Sequence, residues 1–178
     1  MLKLPISNDQ IKRANKISYP TLKFKQNKIG ERAYLTGAVG EIVVGDYLQT
    51  TPHVYKSFQE MYDYDINYKG IRIEVKTKMV NKPPKPFYDC TIFGYSKKQK
   101  CDQYWFVNIN KDMTNAYIMG YISKDDFFRN AEFCKAGTSR GNLVYKWDNY
   151  VIKAFELRNP IFINNLALIV SPPFEISP

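Results

Sequence analysis

DYDINYKGIRIEVKTK, from Asp63 to Lys78, is the stretch whose reading decides the fold. Apolar residues alternate on both sides of Lys69-Gly70, as in two strands joined by a short turn, with Gly70 supplying the positive φ that hairpin turns favour. A two-residue loop makes Asp65 face Glu74, Asp63 face Lys76 and Asn67 face Arg72, all on one side of the hairpin. Tyr64, Ile66 and Tyr68 then oppose Ile71, Ile73 and Val75 on the other side, an apolar surface suited to a core. Like charges directly opposite one another destabilise a sheet, so Asp65 against Glu74 is a poor choice for structure alone. A divalent cation held between them would reverse the sign of that interaction.

Upstream, residues 33–50 carry Leu35, Ala38, Val39 and Ile42 at helical spacing, with a second stripe through Gly37, Glu41, Val44, Gly45 and Leu48. Glycine inside a helix costs about 1 kcal/mol relative to alanine, so Gly37, Gly40 and Gly45 predict close backbone approach to a neighbour. If that neighbour is the hairpin, Glu41 joins the carboxylate pair. Residues 1–32 (IKRANK, LKFKQNK) are Lys-rich and weakly patterned, and read as a basic flank with a short helix after Ser7. A strand is expected from His53 to Phe58, and the Pro-rich NKPPKP from Asn81 to Pro86 reads as a loop. Beyond it come a strand over Tyr88–Tyr95, a short basic helix capped by Ser96 (SKKQKCDQ) and a buried strand at Tyr104–Ile109. A strand over Ala116–Ile122, a helix from Lys124 to Cys134, the loop AGTSRGN and a strand over Tyr150–Leu157 follow.

The chain has 178 residues, enough for one domain that buries roughly two thirds of its unfolded surface. Its 26 Lys and Arg against 17 Asp and Glu give a net charge of +9, which points to a polyanionic partner. Fourteen Tyr and eleven Phe lie among those cations, a mixture in which bases can stack and phosphates can pair, although most of these aromatics are expected in the core. Cys90, Cys101 and Cys134 have no C-x-x-C spacing and His53 is the sole histidine, so neither a zinc site nor a disulfide framework is supported. MLKLPISNDQ has no basic-then-apolar leader, and with this cysteine usage an intracellular protein of cytoplasm or nucleoid is expected. The apolar run Leu166–Val170 is far shorter than the ~20 residues of a membrane helix.

Asp65, then Glu74-Val75-Lys76, with Glu41 on a preceding helix, resembles the PD-(D/E)xK nuclease superfamily; Tyr64 stands where the family name has Pro. The resemblance covers residues 33–110 and implies an α/β (α+β), restriction-endonuclease-like core, a mixed β-sheet flanked by helices in the order αβββαβ, with residues 111–178 as a C-terminal extension. It implies Asp65 as metal-bridging aspartate, Glu74 as second metal ligand, Val75 as a carbonyl ligand, Lys76 as the motif lysine and Glu41 as the helix carboxylate, with Asp63 able to assist Asp65. Carboxylate oxygens suit Mg²⁺ or Mn²⁺. Gln99 and Lys98 match the helix after the motif, and Lys97, Lys98, Lys100 and Arg140 are expected to neutralise phosphates. His53 is expected as a strand or loop residue rather than a ligand. The expected activity is hydrolysis of DNA phosphodiesters by an endonuclease. A catalytically inactive nucleic-acid-binding protein of the same fold and an RNA endonuclease stand as alternatives, and a homodimer is a further expectation.

Overall fold

The computed structural model describes residues 1–24, 30–53, 63–141 and 143–161. Residues 54–58 of the strand expected at His53–Phe58, and the tail INNLALIVSPPFEISP, lie outside them. The chain is α+β, with three helices among the described residues, and its centre is a five-stranded mixed sheet. Strands β1 (Leu2–Pro5), β2 (Ile66–Tyr68), β3 (Ile71–Val80), β5 (Gln103–Asn110) and β6 (Asn115–Ser123) lie in the order β1-β6-β5-β3-β2. Only β3 and β5 run parallel; the other three pairings are antiparallel.

One face of this sheet, through Ile66, Ile73, Val75, Trp105, Val107 and Ile118, packs against helices α1 (Asn8–Phe24) and α2 (Glu31–Tyr47). Its opposite face, through Tyr104, Phe106, Tyr117 and Met119, meets helix α3 (Lys124–Asn130) and a second sheet. Burial on both faces explains why β5 and β6 read as nearly unbroken apolar runs, YWFVNI and AYIMGYI. Within β6 a bulge at Met119 shifts the pairing from Phe106↔Gly120 to Val107↔Ile118. Gly120 is required there, because its φ is +150° and a Cβ would lie 2.6 Å from the Arg158 carbonyl oxygen.

The second sheet comprises β4 (Asp89–Phe93), β10 (Asn149–Lys153) and β7 (Glu132–Cys134), in the order β4-β10-β7. The expected run of three strands in one sheet is therefore corrected: β4 leaves β3 and finds its partner far along the chain. The helix expected to reach Cys134 ends at Asn130, because Glu132 to Cys134 pair with β10. In AGTSRGN, Ser139–Arg140 form β8, paired with β9 (Leu143–Val144). The N-terminal flank carries the helix expected after Ser7, longer than expected, and a strand that was not expected. Strand β1 closes the sheet edge on β6, and Ser7 and Gln10 cap α1 reciprocally, with Gln10 N–H donating to Ser7 Oγ (3.1 Å) and Ser7 N–H to Gln10 Oε1 (2.9 Å). Helix α1 docks on α2 through the fully buried Ala14 and a two-pronged contact of Arg13 with Asp46 at 2.8 and 2.6 Å. No described helix is long and apolar enough to cross a membrane.

Candidate metal and phosphate site

The hairpin is built as its turn chemistry demands. Lys69 and Gly70 have φ of +51° and +85°, both positive as a two-residue primed turn requires, and Asn67 Oδ1 accepts the Gly70 N–H at 3.1 Å. The register is the expected one, with Tyr68↔Ile71, Asn67↔Arg72 and Ile66↔Ile73. Pairing then stops. Asp65 N–H donates to the Ile73 carbonyl (2.8 Å), and its side chain turns back so that Oδ2 accepts the Val75 N–H at 2.6 Å. The carboxylate thus occupies the place of the next ladder carbonyl. The direct strand pairs Asp65–Glu74 and Asp63–Lys76 are not formed, and the two acids are spared a face-to-face repulsion because Asp65 has a backbone donor of its own.

Glu74 is buried, its side chain only 8% exposed, and its Oε1 accepts from Lys76 Nζ and Gln99 Nε2, each at 2.7 Å. Among the described residues its second oxygen, Oε2, and the amide oxygen of Gln99 have no hydrogen-bond partner, although both are buried. Leaving such atoms without a partner costs about 1–3 kcal/mol each. Burial works against the charge on Lys76, but the neighbouring Glu74 carboxylate, by charge and by hydrogen bond, and then Asp65 outweigh it and hold the ammonium above its ordinary value of 10.5. Lys76 is therefore a fixed cation at neutral pH. Burial, with the Glu74 charge adding to it, pushes the Cys101 thiol up to about 11, so this sulfur is no thiolate nucleophile.

Gln99 reaches Glu74 from a short 3₁₀ turn, Gly94–Lys98, rather than from the expected α-helix, and the turn is not capped by Ser96, which lies buried inside it. Among the contacts that hold this turn, the Tyr104 hydroxyl donates to the Ser96 carbonyl at 3.2 Å, and Lys124 Nζ donates to the carbonyl of Gln99. Arg72 and Asp102 join the starts of the two parallel strands, with the guanidinium donating to both carboxylate oxygens at 3.0 and 2.7 Å. Lys124 and Asp102 carry no sequence motif, and only the pairing of β3 with β5 shows their part in placing Gln99 beside Glu74.

The structure thus gathers Asp65, Glu74, Lys76 and Gln99 around Val75. Glu41 sits on α2 beside Gly40, which abuts Thr77 of β3; yet among the described residues no three His, Cys, Asp or Glu side chains gather as a metal-binding group. Asp63 pairs with Lys100 at 3.2 Å, and Lys97 and Lys98 are exposed on the turn, with Lys97 Nζ 5.8 Å from the centre of the Phe128 ring. Arg140 lies elsewhere, in the two-stranded β8–β9 ladder, ion-paired to Glu132 (2.8 Å) and Asp89 (3.3 Å). His53 stands next to the site through its backbone, donating its N–H to the Asp65 carbonyl at 2.7 Å. All three cysteines are free thiols. Neither a family model nor a curated protein matches this chain.

Proposed function

We propose that this protein is a divalent-metal-dependent nuclease of the PD-(D/E)xK type, built on a restriction-endonuclease-like core and hydrolysing DNA phosphodiester bonds as an endonuclease. One observation carries the proposal: a buried glutamate on a central strand, two positions before a lysine that is held against it, beside an aspartate anchored to the intervening residue. A surface ion pair decorating a strand has no need of burial or of a third polar group, whereas Glu74 has both.

A hard cation fits the donors present. Mg²⁺ commonly takes one or two protein carboxylates and keeps its remaining positions for water and phosphate oxygens. Asp65 and Glu74 would hold it, and the buried Oε2 of Glu74 is an acceptor in want of a positive partner. When bound, the ion would offset charge on the phosphoryl oxygens and lower the pKa of an attacking water.

The chain's own groups do the rest. The Val75 N–H fixes the Asp65 carboxylate, and Lys76 with Gln99 fixes that of Glu74, so neither acid has to reorganise when substrate enters. Lys76, protonated throughout the neutral range, donates to a phosphate oxygen and stabilises its growing charge; it is no general base. Cleavage of labelled linear, circular and single-stranded DNA, and of RNA, in Mg²⁺, Mn²⁺ and EDTA tests the proposal. Metal-dependent cutting should fall by about 10²-fold or more in Glu74→Ala and Lys76→Ala, with binding retained. Salt-sensitive binding without cutting of any substrate would leave a non-catalytic nucleic-acid-binding protein.

A further inference from the structure

The turn that delivers Gln99 to Glu74 also carries a pair of aromatic rings that the core does not use. Phe93, the last residue of β4, and Tyr95 are 44% and 64% exposed. Their rings stack on each other with centroids 5.5 Å apart and planes 8° from parallel. Large rings left this open to water mark interaction surfaces. The backbone beneath them is fixed, since the Gly94 N–H donates to the Asp148 carbonyl at 2.8 Å and Phe93 is paired with Asn149 in the second sheet.

We propose that Phe93 and Tyr95 form a stacking platform for an unpaired base of a single-stranded nucleic acid, next to the phosphate held at Glu74 and Lys76. Three features select this occupant. In a 3₁₀ turn residues three apart eclipse, which puts the exposed Lys98 on the same side as Tyr95, so a ring and a cation are offered together to a base and its phosphate. Gln99 is four residue steps beyond Tyr95, at about 2 Å rise each, a span of a nucleotide or two. The net charge of +9 favours a polyanion over a second copy of a chain that is itself cationic. The bases of intact duplex are stacked on one another and present only their edges, so the platform discriminates in favour of single strands, loops and frayed ends.

The inference rests on the nuclease reading for the location of the phosphate, and its test is a binding measurement in EDTA, where no cutting occurs. A fluorescein-labelled oligothymidylate and a GC-clamped, blunt-ended duplex of equal charge are titrated by anisotropy, and a strand carrying 2-aminopurine reports stacking directly. Phe93→Ala and Tyr95→Ala should each weaken single-strand binding by about tenfold and abolish 2-aminopurine quenching, with duplex affinity unchanged. Tyr95→Phe should bind as the parent does, and Lys98→Ala should weaken both ligands and flatten the salt dependence. Equal loss for single strand and duplex, unchanged single-strand affinity, or no binding of either ligand by the parent protein would overturn the platform. So would sedimentation showing a dimer that Tyr95→Ala dissociates while single-strand affinity stays constant, the signature of a protein interface. Stacking without metal-dependent cleavage would sink the nuclease and leave the platform standing, whereas cleavage with intact single-strand affinity in the alanine variants would do the reverse.

Discussion

Asp65 has two separable tasks, one structural and one chemical. Its Oδ2 satisfies the Val75 N–H where β2 has ended, and its charge lies close enough to Lys76 to help keep that ammonium protonated. Asn offers the same acceptor without the charge. Asp65→Asn should therefore melt within a degree or two of the parent yet lose metal-dependent cutting, while Asp65→Ala should lose activity and about 1–3 kcal/mol of stability as the buried N–H goes unanswered. Calorimetry alongside the cleavage assay separates the two. Glu74, Lys76 and Asp65 were legible in the sequence because strand alternation and a Gly70 turn dictate which residues share a face. The way Asp65 reaches its place was not, because alternation assumes that pairing continues and a side chain replacing a ladder carbonyl leaves no periodic trace. Gln99 was named, with Lys98, only through the resemblance of SKKQK to the helix after the motif; its aim at Glu74 depends on Tyr104 and Lys124, which hold the turn through backbone carbonyls.

Helix α2 owes its position to a glycine. A Cβ at Gly40 would come within 2.9 Å of Thr77 Cγ2, so helix and strand meet backbone to side chain at this point. Gly40→Ala should push α2 off β3, costing about 1–3 kcal/mol and roughly 2–12 °C in Tm for a chain of this size. The double variant Gly40→Ala/Thr77→Ala should recover most of the loss, since Thr77 Oγ1 has no hydrogen-bond partner among the described residues to forfeit. Of the three glycines expected to allow close approach, Gly40 meets Thr77 and Gly45 meets Thr50 and Pro52, whereas a Cβ at Gly37 would have nothing within 4 Å among the described residues, so that part of the expectation is corrected. Elements with weaker signals were read incompletely for plain reasons: β1 is a four-residue edge strand with too few residues to show alternation, and the helix expected after Ser7 runs on for 17 residues among lysines that its exposed face tolerates. The junction of these helices is electrostatic and pH-dependent. Hydrogen bonds from Arg13, and then Gln10, hold the Asp46 carboxyl below its ordinary 3.8 against the opposing effect of burial. A depressed carboxylate contributes stability that is complete above its unfolded pKa and is lost as pH falls through the folded one. Asp46→Asn should accordingly lower the free energy of urea unfolding at pH 7, by about 1 kcal/mol or less for so exposed a pair, and the difference from the parent should narrow once the pH drops below about 4.

At the scale of the whole molecule, the five-stranded sheet separates two apolar layers, helices on one side and a smaller sheet on the other. Strand and helix identities were largely readable from pattern, but the division into two sheets was not, because local periodicity does not say which distant strand a given strand joins. The αβββαβ order gives no hint that β4 belongs with β10. That pairing has a consequence in time. Strand β4, with the Phe93 that ends it, has one partner in its sheet, and that partner is completed only at Lys153. A ribosome adding about 5–20 residues per second needs several seconds to deliver the intervening segment of about 60 residues. For those seconds the hairpin can exist with Glu74 and Lys76 in register, yet the turn beside Gln99 has no β10 behind it and, for about the first half of them, no Lys124 amine beneath it. On the proposed activity, cutting is not expected from the nascent chain until β10 has joined β4 and Lys124 has closed on the Gln99 carbonyl.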